Sequence, residues 1–289
     1  MSNQIINRRI LLGLSPVTTT PVSVLQTWYD SLSIKPSAGL WTDLKIMADG
    51  MDADGDWSEM DFMSMIACME TDEQRLRPLK TTSGDDMVKV GSPTFDSAGV
   101  VNPSPGSGNY INTKWNPVDN GVKYTLDSAL FAVYGDTITS TGSGVEMSGS
   151  GDQLTSITSC LMNVTETTTS LSINTASRIN GVTNVITSTK TGLSNAAKRY
   201  FCALIRTSSS SITKYVSGSS FVNPTNNSTV NNPYDFYLLG VNYENLFANS
   251  GTGHKARCLI TGSSLVSPSR VQARLQTFFT ARGLTITNF

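Results

Sequence analysis

The sequence predicts a mainly β protein: an antiparallel jelly-roll β-sandwich carrying an N-terminal arm and helical hairpin and closed by a C-terminal helix. Three observations carry that expectation. From residue 81 onward, short apolar runs recur between Gly, Pro, Asn and Ser at the spacing of a sandwich. Only 15% of the 289 residues are charged, against roughly 25% in an average soluble domain, so uncharged polar side chains must cover much of the surface. Helical periodicity is confined to residues 21–80 and to the last stretch before Gly283.

Residues 1–20 read as an extended arm. A polar start leads into Ile10-Leu11-Leu12-Gly13-Leu14, and then Thr18-Thr19-Thr20 before Pro21, where β-branched residues and proline disfavour helix. Residues 21–80 read as a helical attachment segment. After Pro21, Val24, Leu25, Trp28, Tyr29 and Leu32 fall three and four apart, which predicts a short helix. A second helix starts at Ser37, an acceptable N-cap, carries Leu40, Trp41, Leu44 and Met47, and is expected to stop at Asp49-Gly50. One further turn is expected over Asp72–Arg77, before Pro78.

Residues 81–289 are expected to form the sandwich domain. Its strands are expected near Met87–Val90, Tyr110–Thr113, Ala129–Tyr134, Ile157–Asn163, Ser170–Asn174, Val182–Ser188, Tyr200–Thr207, Ser211–Val216, Phe236–Val241 and Arg257–Thr261. Gly218 is expected to supply a positive φ where two strands reverse. Over Pro268–Arg282 the period changes: Val271, Leu275, Phe278 and Phe279 share one helical face between Ser267-Pro268 and Gly283.

The block GDWSEMDFMSMIACMETDEQRLRPLKTTSGDDMVKVGSPTFDSAGVV, with GNYINTKWNP, YTLDSALFAVY, RYFCALIRTSSSSITKYVSG and DFYLLGVN, resembles virion structural proteins of tailed bacteriophages that carry a concanavalin-like (laminin-G-like) jelly roll. The resemblance spans about Pro21 to Phe289 and lies in packing patterns rather than catalytic motifs. It implies a structural component of a tailed-phage virion, a head decoration, head fibre or tail appendage, located in the virion and assembled in the bacterial cytoplasm. It also implies other virion proteins as partners and a homo-oligomer, with a trimer favoured because low-charge sandwich faces associate symmetrically.

Several chemistries are excluded on sequence grounds, and the expectation is a protein that is not an enzyme and needs no cofactor. Asp52, Asp54 and Asp56 imitate the start of a calcium loop, but Trp57 stands where glycine is required and Met63 where the closing glutamate belongs, so capping and a solvated turn explain the acids. No E-x-D-x-E run exists, the glutamates are isolated, and the adjacent Asp85 and Asp86 would point to opposite faces of a strand. The one histidine, His254, sits in a Gly-rich stretch without a nucleophile elbow. Cys68, Cys160, Cys202 and Cys258 lie in apolar contexts and read as buried free thiols rather than disulfides or metal ligands. A net charge of -1 with scattered basic residues excludes nucleic acid as partner, and no stretch approaches the roughly 20 apolar residues of a membrane span.

The alternative function is a glycan-binding adhesin module of the tail, with host surface polysaccharide as ligand. Its candidate contacts are Tyr234, Tyr237 and Tyr243 with Asn242 and Asn245, because aromatic rings stack on sugar faces while amides bond hydroxyls.

Overall fold

The computed structural model describes residues 22–103, 108–137, 145–151, 159–164, 172–175, 178–181, 186–189, 198–223, 227–228, 230–243, 246–248 and 254–284. The expected arm, residues 1–20, lies outside them. Helices are α1 (Gln26–Ser31), α2 (Ala38–Ala53), α3 (Asp72–Leu76), α4 (Pro117–Asn120) and α5 (Pro268–Ala281). The first strands are β1 (Met60–Met65), β2 (Lys80–Thr81), β3 (Val88–Val90), β4 (Thr94–Asp96), β5 (Gly99–Val101) and β6 (Tyr110–Asn112). The middle of the chain supplies β7 (Ala129–Thr137), β8 (Val145–Gly151), β9 (Ser159–Val164), β10 (Ser172–Thr175), β11 (Arg178–Gly181), β12 (Ile186–Thr189) and β13 (Lys198–Arg206). The last strands are β14 (Ile212–Val216), β15 (Ser219–Asn223), β16 (Tyr237–Leu238), β17 (Val241–Tyr243), β18 (Leu246–Ala248) and β19 (His254–Gly262).

These strands form the expected antiparallel jelly-roll β-sandwich. One sheet has the order β15-β14-β13-β7-β19-β1-β2, with β5 joined to β19 and β4 to β5; the other runs β11-β9-β8-β16-β6-β3, with β17 and β18 attached through β8. A separate ladder joins β10 to β12, and the β8–β17 pairing is parallel. The β14–β15 hairpin turns on Ser217 (φ +39°) and Gly218 (φ +87°), two successive positive φ values that match the right-handed strand twist.

The first sheet is buried on both faces, which gives three layers. Along β7, Ala129, Phe131 and Val133 point into the layer between the sheets, where they meet Phe62, Trp115, Tyr200, Leu204 and Phe236. The alternate residues Leu130, Ala132 and Tyr134 point outward, under a cover of Trp28, Leu44, Met47, Val271, Leu275 and Phe279 from the helices. A strand covered on both sides needs no polar alternation, which is why β7 reads as a continuous apolar run.

Two expectations are corrected here. Residues 60–65, placed by sequence in the helical segment, form β1, an interior strand between β19 and β2. All six β1 residues are buried, so neither a period of two nor one of 3.6 marks them. The second helix does not stop at Asp49-Gly50 but continues to Ala53. Gly50 sits inside it because a Cβ there would come within 2.9 Å of the Arg274 guanidinium, so glycine admits that side chain across the helix. Ser37 caps α2 as expected, its Oγ accepting from Leu40 N at 3.3 Å.

Candidate binding surface on the helical layer

Helices α2 and α5 cross on the outer face of the first sheet, and ion pairs join them along their length. Asp56 accepts from Arg270, Asp54 from Arg274 Nε at 2.9 Å, and Asp43 from Arg282 Nη1 at 3.4 Å. The acidic loop that imitates a calcium site is thus engaged by guanidinium groups arriving more than 200 residues later. The hydrogen bond from Arg274 holds the Asp54 carboxyl below its ordinary range. Among the described residues no three His, Cys, Asp or Glu side chains are placed to share a metal ion.

Away from α5, α2 turns a mixed face to solvent. Trp41 packs on Tyr29 with ring centroids 4.4 Å apart, and Lys45 lies 5.9 Å from the Trp41 ring. Trp41, Thr42, Lys45, Ile46 and Asp49 line a shallow depression of about 470 Å³. Ile46 is 58% exposed. The same side chain borders the groove between α2 and α5, beside Thr277, Phe278 and Ala281, so it forms a ridge between the two hollows. Asp49 closes the face at its far end: it accepts from Ser23 Oγ at 2.6 Å and from Val24 N at 3.2 Å. The chain therefore enters the described structure pinned against this face.

Two larger clefts flank the helical layer. One, of about 580 Å³, lies between α1 and residues 77–86 and is lined by Thr27, Trp28, Arg77, Asp85 and Asp86. Its Arg77 is committed to Asp86 through bonds of 3.0 and 2.9 Å, and the Trp28 indole donates to Arg77 O at 3.1 Å. Thr27 and Asp85 remain exposed on its rim. The other, of about 520 Å³, is lined by Cys68, Glu70, Arg75, Arg282 and Leu284. Here Arg75 is held by Asp72 at 2.9 Å and by Met69 O at 2.7 Å, and burial pushes the Cys68 thiol up to about 11.

The residues singled out from sequence for glycan contact are not gathered on an open surface. Tyr237 is 4% exposed and stacks on Tyr110 with centroids 4.1 Å apart; burial raises its phenol pKa. Asn242 is fully buried and its amide donates to Asp235 O at 2.9 Å. Tyr234 is half-buried, its backbone N–H donating to Asn232 Oδ1 at 2.8 Å. The Tyr243 side chain and Asn245 lie outside the described residues. The helical face that the structure does expose went unnoticed in the sequence as a surface, because the spacing that marks an apolar stripe says nothing of Ile46, one residue off it.

Comparisons with known proteins give fold-level likeness alone. No protein-family model and no curated protein matches this chain. Among solved structures, a Trypanosoma rangeli sialidase in complex with 2,3-difluorosialic acid is similar at 10% identity and a TM-score of 0.49, over 80% of this chain and 34% of that one. A crystal structure of a receptor-binding domain is similar at 12% identity and a TM-score of 0.48, over 83% of this chain and 54% of that one. The chain thus spans about a third of the sialidase it resembles. An enzyme among these neighbours overturns the expectation that the chain is not an enzyme, which is withdrawn; the likeness assigns neither a reaction nor a catalytic residue.

Proposed function

We propose that this chain is a structural component of a tailed-phage virion, attached through its N-terminal segment and helical layer and displaying the sandwich outward. The observation that carries the reading is the tether of Ser23 and Val24 to Asp49, which holds the first described residues beside the face that Trp41 and Ile46 line. An apolar run in the arm and an apolar ridge on the helices are the ingredients of an attachment surface. The low charge content and the sequence patterns quoted above support the same reading. The test replaces the full chain by one lacking residues 1–20 during particle assembly. The truncated chain keeps its thermal transition but is lost from purified particles; normal incorporation would sink the arm as the attachment element.

The second reading is a glycan-binding module, and the cleft beside α1 favours it. Exposed Thr27 and Asp85 sit on its rim, so a hydroxyl and a carboxylate line a cleft of about 580 Å³. Host polysaccharide titrated against the purified chain reads out saturable binding that Asp85→Ala weakens tenfold or more; no saturation at millimolar sugar counts against it.

A further inference from the structure

We propose that the exposed face of α2 is the docking site for the arm of a second copy of this chain, with Ile10-Leu11-Leu12-Gly13-Leu14 seated against Trp41 and Ile46. The inference takes from the attachment reading only that residues 1–20 act as an arm. Four observations carry it.

The face is built to be covered. Ile46 is 58% exposed, Val22 is 76% exposed, and the groove beside Ile46 is walled by Phe278 and Ala281. The occupant has the matching chemistry: Ile10–Leu14 is the apolar run of the arm, and Arg8-Arg9 precede it. Those two cations complement the exposed carboxylate of Asp52 at the end of α2.

Length decides between the chain's own face and a neighbour's. From Trp41 to Asp49 the helix rises about 12 Å, at roughly 1.5 Å per residue. The eight Cα steps from Leu14 to Val22 span up to about 27 Å when extended. Pro16, Pro21 and the β-branched Thr18-Thr19-Thr20 favour that extended form. Because the chain is pinned at Asp49, an arm laid back along its own α2 would cover the face with this polar spacer and carry the apolar run past its end. A second copy places Ile10–Leu14 on the face instead, and exchange between identical chains closes both arms at once.

The experiment measures the mass of the purified full-length chain by light scattering, together with Ile46→Asp and with Leu11→Asp/Leu12→Asp. Ile46 projects into solvent, so its replacement leaves the fold of the single chain intact. The parent gives a multiple of 31.0 kDa, and each variant alone falls to 31.0 kDa. Mixing the two variants restores a particle of twice 31.0 kDa, because one contributes an intact arm and the other an intact face. A monomeric parent, variants that keep the parent's mass, or a mixture that stays monomeric would each overturn the proposal. Particle incorporation is scored separately, so a chain that oligomerises through this face yet never enters virions defeats the attachment reading and leaves this one standing.

Discussion

Arg270 holds Asp56 through two hydrogen bonds, Nε to Oδ2 at 2.9 Å and Nη2 to Oδ1 at 2.8 Å, and so fastens the start of α5 to the turn after α2. The carboxylate is 1% exposed and also accepts the backbone N–H of Ser267 at 2.8 Å. Removing Asp56 strands that amide, whereas removing Arg270 leaves a buried anion short of donors. Asp56→Ala and Arg270→Ala are each expected to lower unfolding free energy by about 2 kcal/mol. The double variant falls well short of the sum. Urea denaturation of the four proteins measures this, and additive losses would show that the pair is not coupled.

A second buried carboxylate fixes the segment that leads into β7. Asp61 sits at a β-bulge in β1, where the register shifts between Met60 and Phe62, and the bulge turns its side chain toward residues 122–124. There it accepts three backbone N–H groups, from Val122 at 3.0 Å, Lys123 at 2.9 Å and Tyr124 at 2.7 Å. Asp61→Asn keeps the shape but replaces one acceptor oxygen by a donor, so it should cost on the order of 2 kcal/mol. Hydrogen exchange at Val122, Lys123 and Tyr124 should speed up far more than at β7; unchanged protection there would refute the role.

How much of this was legible depended on whether the determinant was local. Ser37, Gly218 and the Val271–Phe279 stripe act within a turn or two of chain, and α2, the β14–β15 hairpin and α5 appear where they were expected. β1 was not legible in the residue pattern, because burial on both faces erases alternation and Met60, Met63 and Met65 favour neither element. The acidic loop was read as capping because its partners, Arg270 and Arg274, lie more than 200 residues away and no spacing rule reaches them. Tyr237 and Asn242 look like surface ligands in sequence, but the pairing of β16 with β6 turns the tyrosine onto Tyr110, and the asparagine amide is consumed by Asp235.

The buried thiols give a chemical check on the three-layer arrangement. Burial pushes Cys68 and Cys202 up to about 11 and raises Cys258 further. At pH 8 only about one thiol in a thousand is then ionised at Cys202, since each unit is a factor of ten. Iodoacetamide at that pH should leave Cys202 and Cys258 unmodified in the folded chain and label both in urea. Cys68, bordering a cleft, should react first. Peptide mapping resolves the three positions, and rapid native labelling of Cys202 or Cys258 would contradict their place in the core.

Lys214 tests the layer between the sheets from the opposite charge. It is fully buried opposite Leu204 on β13, and desolvation lowers its pKa from 10.5 to about 8, while the nearby Cys202 acts in the other direction. Between those two values the unfolded chain holds a proton that the folded chain has released, so stability rises with pH from about 8 to 10.5 and is unaffected by this group below that window. The thiols oppose it, because their raised pKa values make stability fall above pH 9. Comparing the parent with Lys214→Met cancels Cys258, whereas Cys202 is coupled to Lys214 and shifts a little with it. The parent should gain on the variant by on the order of 2 kcal/mol between pH 7 and pH 10. A difference that stays flat across that range would mean that Lys214 keeps its charge in the fold and that desolvation does not govern its titration.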